Sequence, residues 1–296
     1  MGAKLRVVRR RIRSVQSTMK ITRAMELIAA SRIVKAQQRV EAARPYAELL
    51  TRAMEDVARQ TGSIAHPLLE QRERPHRAGV LVVTSDRGLA GAYNANVLKR
   101  AELLIGRVRE RGLEPVLYVS GKKGISYFRF RGAPMEESWS GFSEVPPFRA
   151  AEEIGRRLID DFGSRRIDEL HAAYTDFRSA FTFRATDKRL LPISPEEIVR
   201  RDGRPHPEYL FEPAPAEILD ELLPQYAVTK VYFALLESAA SENAARQRAM
   251  KAATDNAEEL IKVLTRQLNR ARQDEITTEI MDIVGGAEAL SKPSGE

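Results

Sequence analysis

Apolar positions in the first sixty residues recur at alternating steps of three and four. Leu5, Val8, Ile12, Val15 and Met19 make one run, and Ile33, Ala36, Val40, Ala43, Ala47, Leu50, Met54 and Val57 a second. That spacing is the a/d seam of a coiled coil. Between the runs the stripe re-registers through Ile21, Met25 and Ile28, a change of phase expected to alter the supercoil locally. Pro45 falls inside the second run and is expected to kink the helix or end it near Arg44, because proline has no amide to donate and crowds the residue before it.

The carboxyl-terminal part repeats the pattern. From Leu219 the steps pass through Leu222, Tyr226, Thr229, Phe233, Leu236, Ala240, Asn243, Gln247, Met250, Thr254, Ala257, Ile261, Leu264, Leu268 and Ala271. About seven heptads exceed an ordinary globular helix of ~8–20 residues. Small seam residues permit close approach, and polar ones fix register at a cost in stability. Neither helix can bury its stripe alone, so the two are expected to pair lengthwise. They run antiparallel if the intervening segment leaves and returns at one end.

Between the helices the period changes. Gly79–Thr84 and Glu114–Ser120 read as strands, each followed by a helical stretch. Residues 148–162 read as an amphipathic helix, Ile167–Thr175 as a third strand and Ser179–Ala185 as a fourth. Strands alternating with helices imply a mainly parallel sheet covered on both faces. The fold class is therefore α/β plus long helices, an antiparallel coiled coil of the two ends with an inserted Rossmann-like α/β domain. The divisions are 1–60 for the first helix, 77–206 for the α/β domain and 214–288 for the second helix, with a Pro-rich stretch from Pro192 to Pro215 leading back.

Charge sharpens the pairing. Residues 1–60 carry 14 Lys/Arg and 5 Asp/Glu, whereas residues 214–287 carry 8 and 12, so the two ends have opposite net charge. The chain as a whole has a net charge of +7. The basic face of the first helix (Arg6, Arg9, Arg10, Arg11, Arg13, Lys20, Arg23) suits phosphate backbones in an alternative reading as a nucleic-acid-binding coiled coil. It has no interleaved aromatics for base stacking and no recognised nucleic-acid motif, and an acidic protein partner explains the same charges.

Candidate chemistry is sparse. There are no cysteines, which excludes disulfides and thiolate metal sites. The histidines His66, His76, His171 and His206 are scattered, without i,i+3 or i,i+4 partners, so no metal site or other cofactor is expected. No apolar run reaches the ~18–20 residues of a membrane-spanning helix, so the chain is expected to be soluble, with a peripheral place in a membrane assembly left open. Thr84–Asn94 (TSDRGLAGAYN) sits after a strand and before a helix, where phosphate loops lie, but lacks GxGxxG spacing and a Lys-Ser/Thr pair. The turn Ser120–Gly124 (SGKKG) has the same location and the same shortfall. Asp160 and Asp161 are adjacent and point in different directions on a helix, which makes them a poor acid/base pair.

Three segments carry a family resemblance. MGAKLRVVRRRIRSVQSTMKITRAMELIAASRIVKAQ at the amino terminus resembles the gamma subunit of F-type ATP synthases, the central rotor shaft. TSDRGLAGAYN resembles that family's loop after its first strand. AARQRAMKAATDNA at 244–257 and LNRARQDEITTEIMDIVGGAEA at 268–289 resemble its carboxyl-terminal signature, in which Ile276, Thr277, Glu279, Asp282, Gly286 and Ala287 occupy the fixed positions. Ala90 stands where many members have cysteine, and the regulatory insertion with a cysteine pair is missing, so thiol control is not expected.

The resemblance implies a noncatalytic rotor that couples proton-driven rotation to ATP synthesis and regulates ATPase activity and proton flow, with catalysis on the beta subunits. It implies three alpha and three beta subunits, the epsilon subunit and the membrane c ring as partners, and a peripheral place on the cytoplasmic side of the cell membrane. Arg272 and Gln273 would bond a loop of a beta subunit, with Thr277 and Glu279 near this contact or bracing the shaft. Met25 would pass an acidic segment of a beta subunit, with plain core packing as its alternative. Arg246 would brace the shaft, and Phe211 and Glu212 match a region near the c ring.

Overall fold

The computed structural model describes residues 2–61, 66–194, 212 and 214–291. Two long helices dominate it, α1 (Gly2–Thr61) and α5 (Pro215–Ser291). The chain divides into two compact units, one of Met1–Ile28 with Arg248–Glu296 and the other Ala29–Gln247. Each unit pairs an early part of one helix with a late part of the other, so within each unit the two helices run antiparallel.

In the first unit the seam follows the spacing residue by residue. Leu5 is buried, and Val8, Ile12, Val15 and Met19 are half-buried between exposed neighbours. On α5, Met250, Thr254, Ala257 and Leu264 are buried, with Ile261, Leu268 and Ala271 half-buried. The expected phase shift does not occur. After Met19 the seam passes through buried Thr22, half-buried Glu26 and, in the second unit, buried Ala29 and Ile33, which continue the three-four stepping. Ile21 and Ile28 are 59% and 53% exposed. A hydroxyl wins the seam position because it has a partner there: Thr22 and Thr254 share a buried hydrogen bond of 2.8 Å between their Oγ1 atoms. The charge asymmetry does less. Arg23 and Glu258 approach to 3.8 Å at a largely exposed site, where a pair contributes about 0–1 kcal/mol.

Pro45 neither ends α1 nor confines it to residues before Arg44; the helix continues to Thr61. The carbonyl that loses its partner belongs to Glu41, four residues back. Glu41, Arg44 and Pro45 all lie on the exposed face, so water can take the missing donor's place while the opposite face stays packed.

The second unit contains a five-stranded sheet in the order β3-β2-β1-β4-β5. The strands are β1 (Arg77–Val83), β2 (Glu114–Ser120), β3 (Glu137–Trp139), β4 (Glu169–Phe177) and β5 (Phe183–Leu191). β1 pairs in parallel with β2 and β4, and β2 with β3, while β5 runs antiparallel to β4. Helices α2 (Tyr93–Glu110), α3 (Lys122–Phe130) and α4 (Phe148–Gly163) connect the parallel strands. Alternation along β1 sorts the two cores. Ala78, Val80 and Val82 pack with α2 and α3, whereas Leu81 and Val83 pack with α4, α1 and α5. Gly155 of α4 lets α5 come close, since a Cβ there would lie 2.7 Å from Val228 Cγ2.

Two strand expectations need correction. β3 was not anticipated, because three residues are too few for a period to register. The fourth strand was expected at Ser179–Ala185 but begins at Phe183. Ser179–Thr182 instead forms the turn from β4, with the Thr182 amide donating to the Ser179 carbonyl at 3.1 Å.

Candidate partner-contact surfaces

The loop after β1 sits where α/β proteins cradle phosphate, but here the chain fills that place itself. The amide of Lys122, at the start of α3, donates to Asp86 Oδ1 at 3.1 Å. Lys123 donates to the Ser85 carbonyl at 3.0 Å and Gly124 to Thr84 Oγ1 at 2.9 Å. The amides of Gly141 and Ser143 donate to Asp86 Oδ2 at 2.8 and 3.0 Å. A carboxylate and two oxygens from the loop thus occupy the positive helix end that an anion would seek.

The crevice outside the carboxyl ends of β1 and β4, where strand order reverses, is the usual ligand position in such sheets. α5 covers it. The Thr175 amide donates to Ser238 Oγ at 3.4 Å, and Ser241 Oγ donates to the Thr175 carbonyl at 3.5 Å. Tyr93 and Ala90 pack against Ala245. Burial raises the Tyr93 hydroxyl above its ordinary pKa, and Glu242 adds to the rise.

Arg246 closes this junction. Its side chain is 7% exposed and donates to Glu242 Oε1 at 2.6 Å and to the Gly88 carbonyl at 3.3 Å, with Glu144 Oε1 3.3 Å away. Glu144 is also paired with Arg32 of α1 and with Arg87 at 3.7 Å. Burial pushes the Glu242 carboxyl up, and Arg246 opposes that rise. The loop reaches Arg246 through Leu89, whose φ of 61° lies in the left-handed region and costs roughly 1 kcal/mol for such a residue. The TSDRGLAGAYN segment is thus a bracket between the sheet and α5.

Asp161 likewise has a structural partner, the Tyr118 hydroxyl at 2.7 Å, while Asp160 is exposed. His66 Nε2 lies 3.3 Å from Asp220, and burial lowers its pKa. Among the described residues no group of three His, Asp or Glu could hold a metal ion, and no helix is long and apolar enough to cross a membrane.

The exposed surface of the first unit is different in kind. Counting outward from the Thr22–Thr254 bond along the two seams sets Leu5 opposite Ala271, so α5 outruns the start of α1. Past that point Ile276, Ile280, Ile283 and Val284 recur at helical spacing and are 46–72% exposed, beside an exposed Met281. Arg272, Gln273, Thr277 and Glu279 are exposed on the same segment, and Thr277 Oγ1 donates to the Gln273 carbonyl at 2.9 Å. Met25 is half-buried between the exposed Ile21 and Ile28 on α1. Sequence spacing had assigned those two isoleucines to the seam and so missed them as surface. Glu212 is exposed, and Phe211 lies outside the described residues.

The family model described as ATP synthase matches residues 4–290. The ATP synthase gamma chain of Acidothermus cellulolyticus is 56% identical and that of Thermobifida fusca 53%, with at least 99% of each chain covered. This chain belongs to the ATP synthase gamma chain family.

Solved structures agree on the fold. A chain of the Euglena gracilis mitochondrial ATP synthase, in its OSCP/F1/c-ring structure, matches at TM-score 0.68 and 17% identity, covering 100% of this chain and 99% of that one. A chain of the Tetrahymena thermophila mitochondrial ATP synthase central stalk and c ring matches at TM-score 0.59 and 23% identity, covering 79% and 99%. The nucleic-acid reading finds no support in these relatives.

Proposed function

We propose that this chain is the central rotor shaft of a proton-translocating F-type ATP synthase, coupling rotation of a membrane c ring to ATP synthesis on the beta subunits. It supplies no catalytic groups. A single shaft makes different contacts with each of three equivalent alpha/beta pairs, so it holds them in different conformations and changes their states as it turns. By the same contacts it regulates ATPase activity and proton flow. The chain sits peripherally on the cytoplasmic side of the cell membrane, with the epsilon subunit and the c ring as further partners. Residues 1–60 and 214–288 serve as the shaft and 77–206 as the domain that holds epsilon and the ring, with Phe211 and Glu212 near the ring.

The observation that carries this reading is the end of α5, a single helix presenting an apolar stripe that stays exposed among the described residues. Such a stripe needs burial against another surface. Arg272, Gln273, Thr277 and Glu279 supply polar contacts to beta on that segment, and Met25 meets a beta subunit from α1. Arg246 serves the shaft from inside, by fixing α5 to the loop.

Reconstitution tests it. Arg272→Glu should leave the isolated chain folded and sharply reduce ATP synthesis in complexes reassembled with alpha, beta and epsilon on a c ring, because the charge-assisted contact is intermolecular. Unchanged synthesis would remove Arg272 from the contact. Purification of the native chain with nucleic acid and without alpha or beta would overturn the rotor reading itself.

A further inference from the structure

In the second unit, α1, α4 and α5 line an open cavity of about 490 Å³. Ala42 and Ala43 recess the α1 side, Tyr46 and Phe148 stand at its opening, and Tyr232 and Phe233 of α5 complete the wall. Phe148 and Tyr232 meet edge to face, with centroids 5.3 Å apart at 83°. Tyr46 is held across the helix pair by donating its hydroxyl to Gln225 Oε1 at 3.0 Å. Tyr46 and Phe148 remain 48% and 44% exposed, so the aromatic lining is open to solvent.

Among the described residues one charge lines this cavity. Arg39 is half-buried, and among the described residues no carboxylate lies within ion-pair distance of it. Arg32, two turns earlier on α1, is paired with Glu144. The volume falls within the ~300–1,000 Å³ of ordinary ligand cavities, which join apolar walls to a few polar anchors. A neutral apolar occupant would leave the guanidinium desolvated without a counter-charge. A bare phosphate would leave the aromatic walls wet. A flat aromatic body bearing one anionic group satisfies both, with the ring against the aromatic walls and the anion on Arg39.

We propose that this cavity binds a small amphipathic organic anion of the aromatic carboxylate class, separately from any contact with other subunits. The test is titration of the full chain with 2-naphthoate, followed by calorimetry and ligand-observed NMR. Saturable one-to-one binding is expected, weakened about tenfold or more by Arg39→Gln and equally by replacing the probe with neutral 2-naphthylmethanol. Ala43→Leu should abolish binding by filling the recess, and Lys35→Gln should leave it unchanged. Circular dichroism establishes that each variant is folded; if Ala43→Leu is not, Arg39→Gln and the neutral probe decide. Absence of saturable binding, or equal affinity in Arg39→Gln, would overturn the proposal.

Discussion

Two stretches of α5 share one helix and opposite environments. Every residue from Ser238 to Arg246 is buried, whereas from Arg272 onward most side chains are exposed, including five large apolar ones. The composition runs against simple expectation. The buried stretch is mainly small and polar and contains Glu242, Asn243 and Arg246, while the exposed one contains three isoleucines. Small residues let α1 on one side and the sheet on the other approach α5 closely, and the charged groups are tolerated because they meet each other. The isoleucines lie past the part of α5 that faces the described residues of α1. Burial here follows what lies opposite, and the exposed apolar end is the part left for a partner.

The largest test of this contrast is Arg246→Ala. Removing it leaves the buried Glu242 without its guanidinium, while Glu144 keeps Arg32 and Arg87, and breaking such a buried pair costs about 3–5 kcal/mol. Urea unfolding of the full chain should show that loss, with most of it recovered in Arg246→Met/Glu242→Met. A loss below about 1 kcal/mol would mean that the cluster does not hold the buried stretch.

Glu237 offers a test of opposite sign. Burial, helped by Asp176 and opposed by Lys188, pushes its carboxyl up to about 7, and among the described residues its Oε2 has no hydrogen-bond partner. The unfolded chain releases this proton near the ordinary 4.5, while the folded chain keeps it to about 7. Stability therefore falls as pH rises through that window and is level above it. Glu237→Gln should remove this decline and stabilise the chain at pH 8 by on the order of 2–3 kcal/mol. Parallel stability–pH curves for the two proteins would refute the assignment.

A smaller effect is expected at the seam. Thr22→Val should cost about 1 kcal/mol, and adding Thr254→Val should recover part of it, because paired removal leaves no orphaned hydroxyl. A double-mutant cycle with no coupling would show that the bond does not set register. The smallest change should come from Ile21→Ser and Ile28→Ser, which should alter the isolated chain's stability by no more than about 0.5 kcal/mol. A loss of several times that would restore the phase-shifted seam.

These tests bear on how much was legible beforehand. The stepping of Leu5 through Met19 and of Met250 through Ala271 marked both helices, since one period repeated over many turns is hard to mistake. The stripe between the two α1 runs was misread, because hydrophobicity favours Ile21 and Ile28, and only the facing helix reveals that Thr22 has a partner. Arg272, Gln273, Thr277 and Glu279 were named from the resemblance alone. Nothing in their spacing separates them from any solvated helix face.

By itself the sequence determined two long amphipathic helices, their mutual need for burial, a strand-helix insert and the family. These are local or periodic properties, written into neighbouring residues. Tertiary structure decided the phase of the seam, the continuation of α1 through Pro45, the filling of the phosphate-loop position by Asp86 and, among the described residues, the absence of a carboxylate beside Arg39. Each depends on which distant group arrives opposite a given side chain, and for that the chain must close on itself.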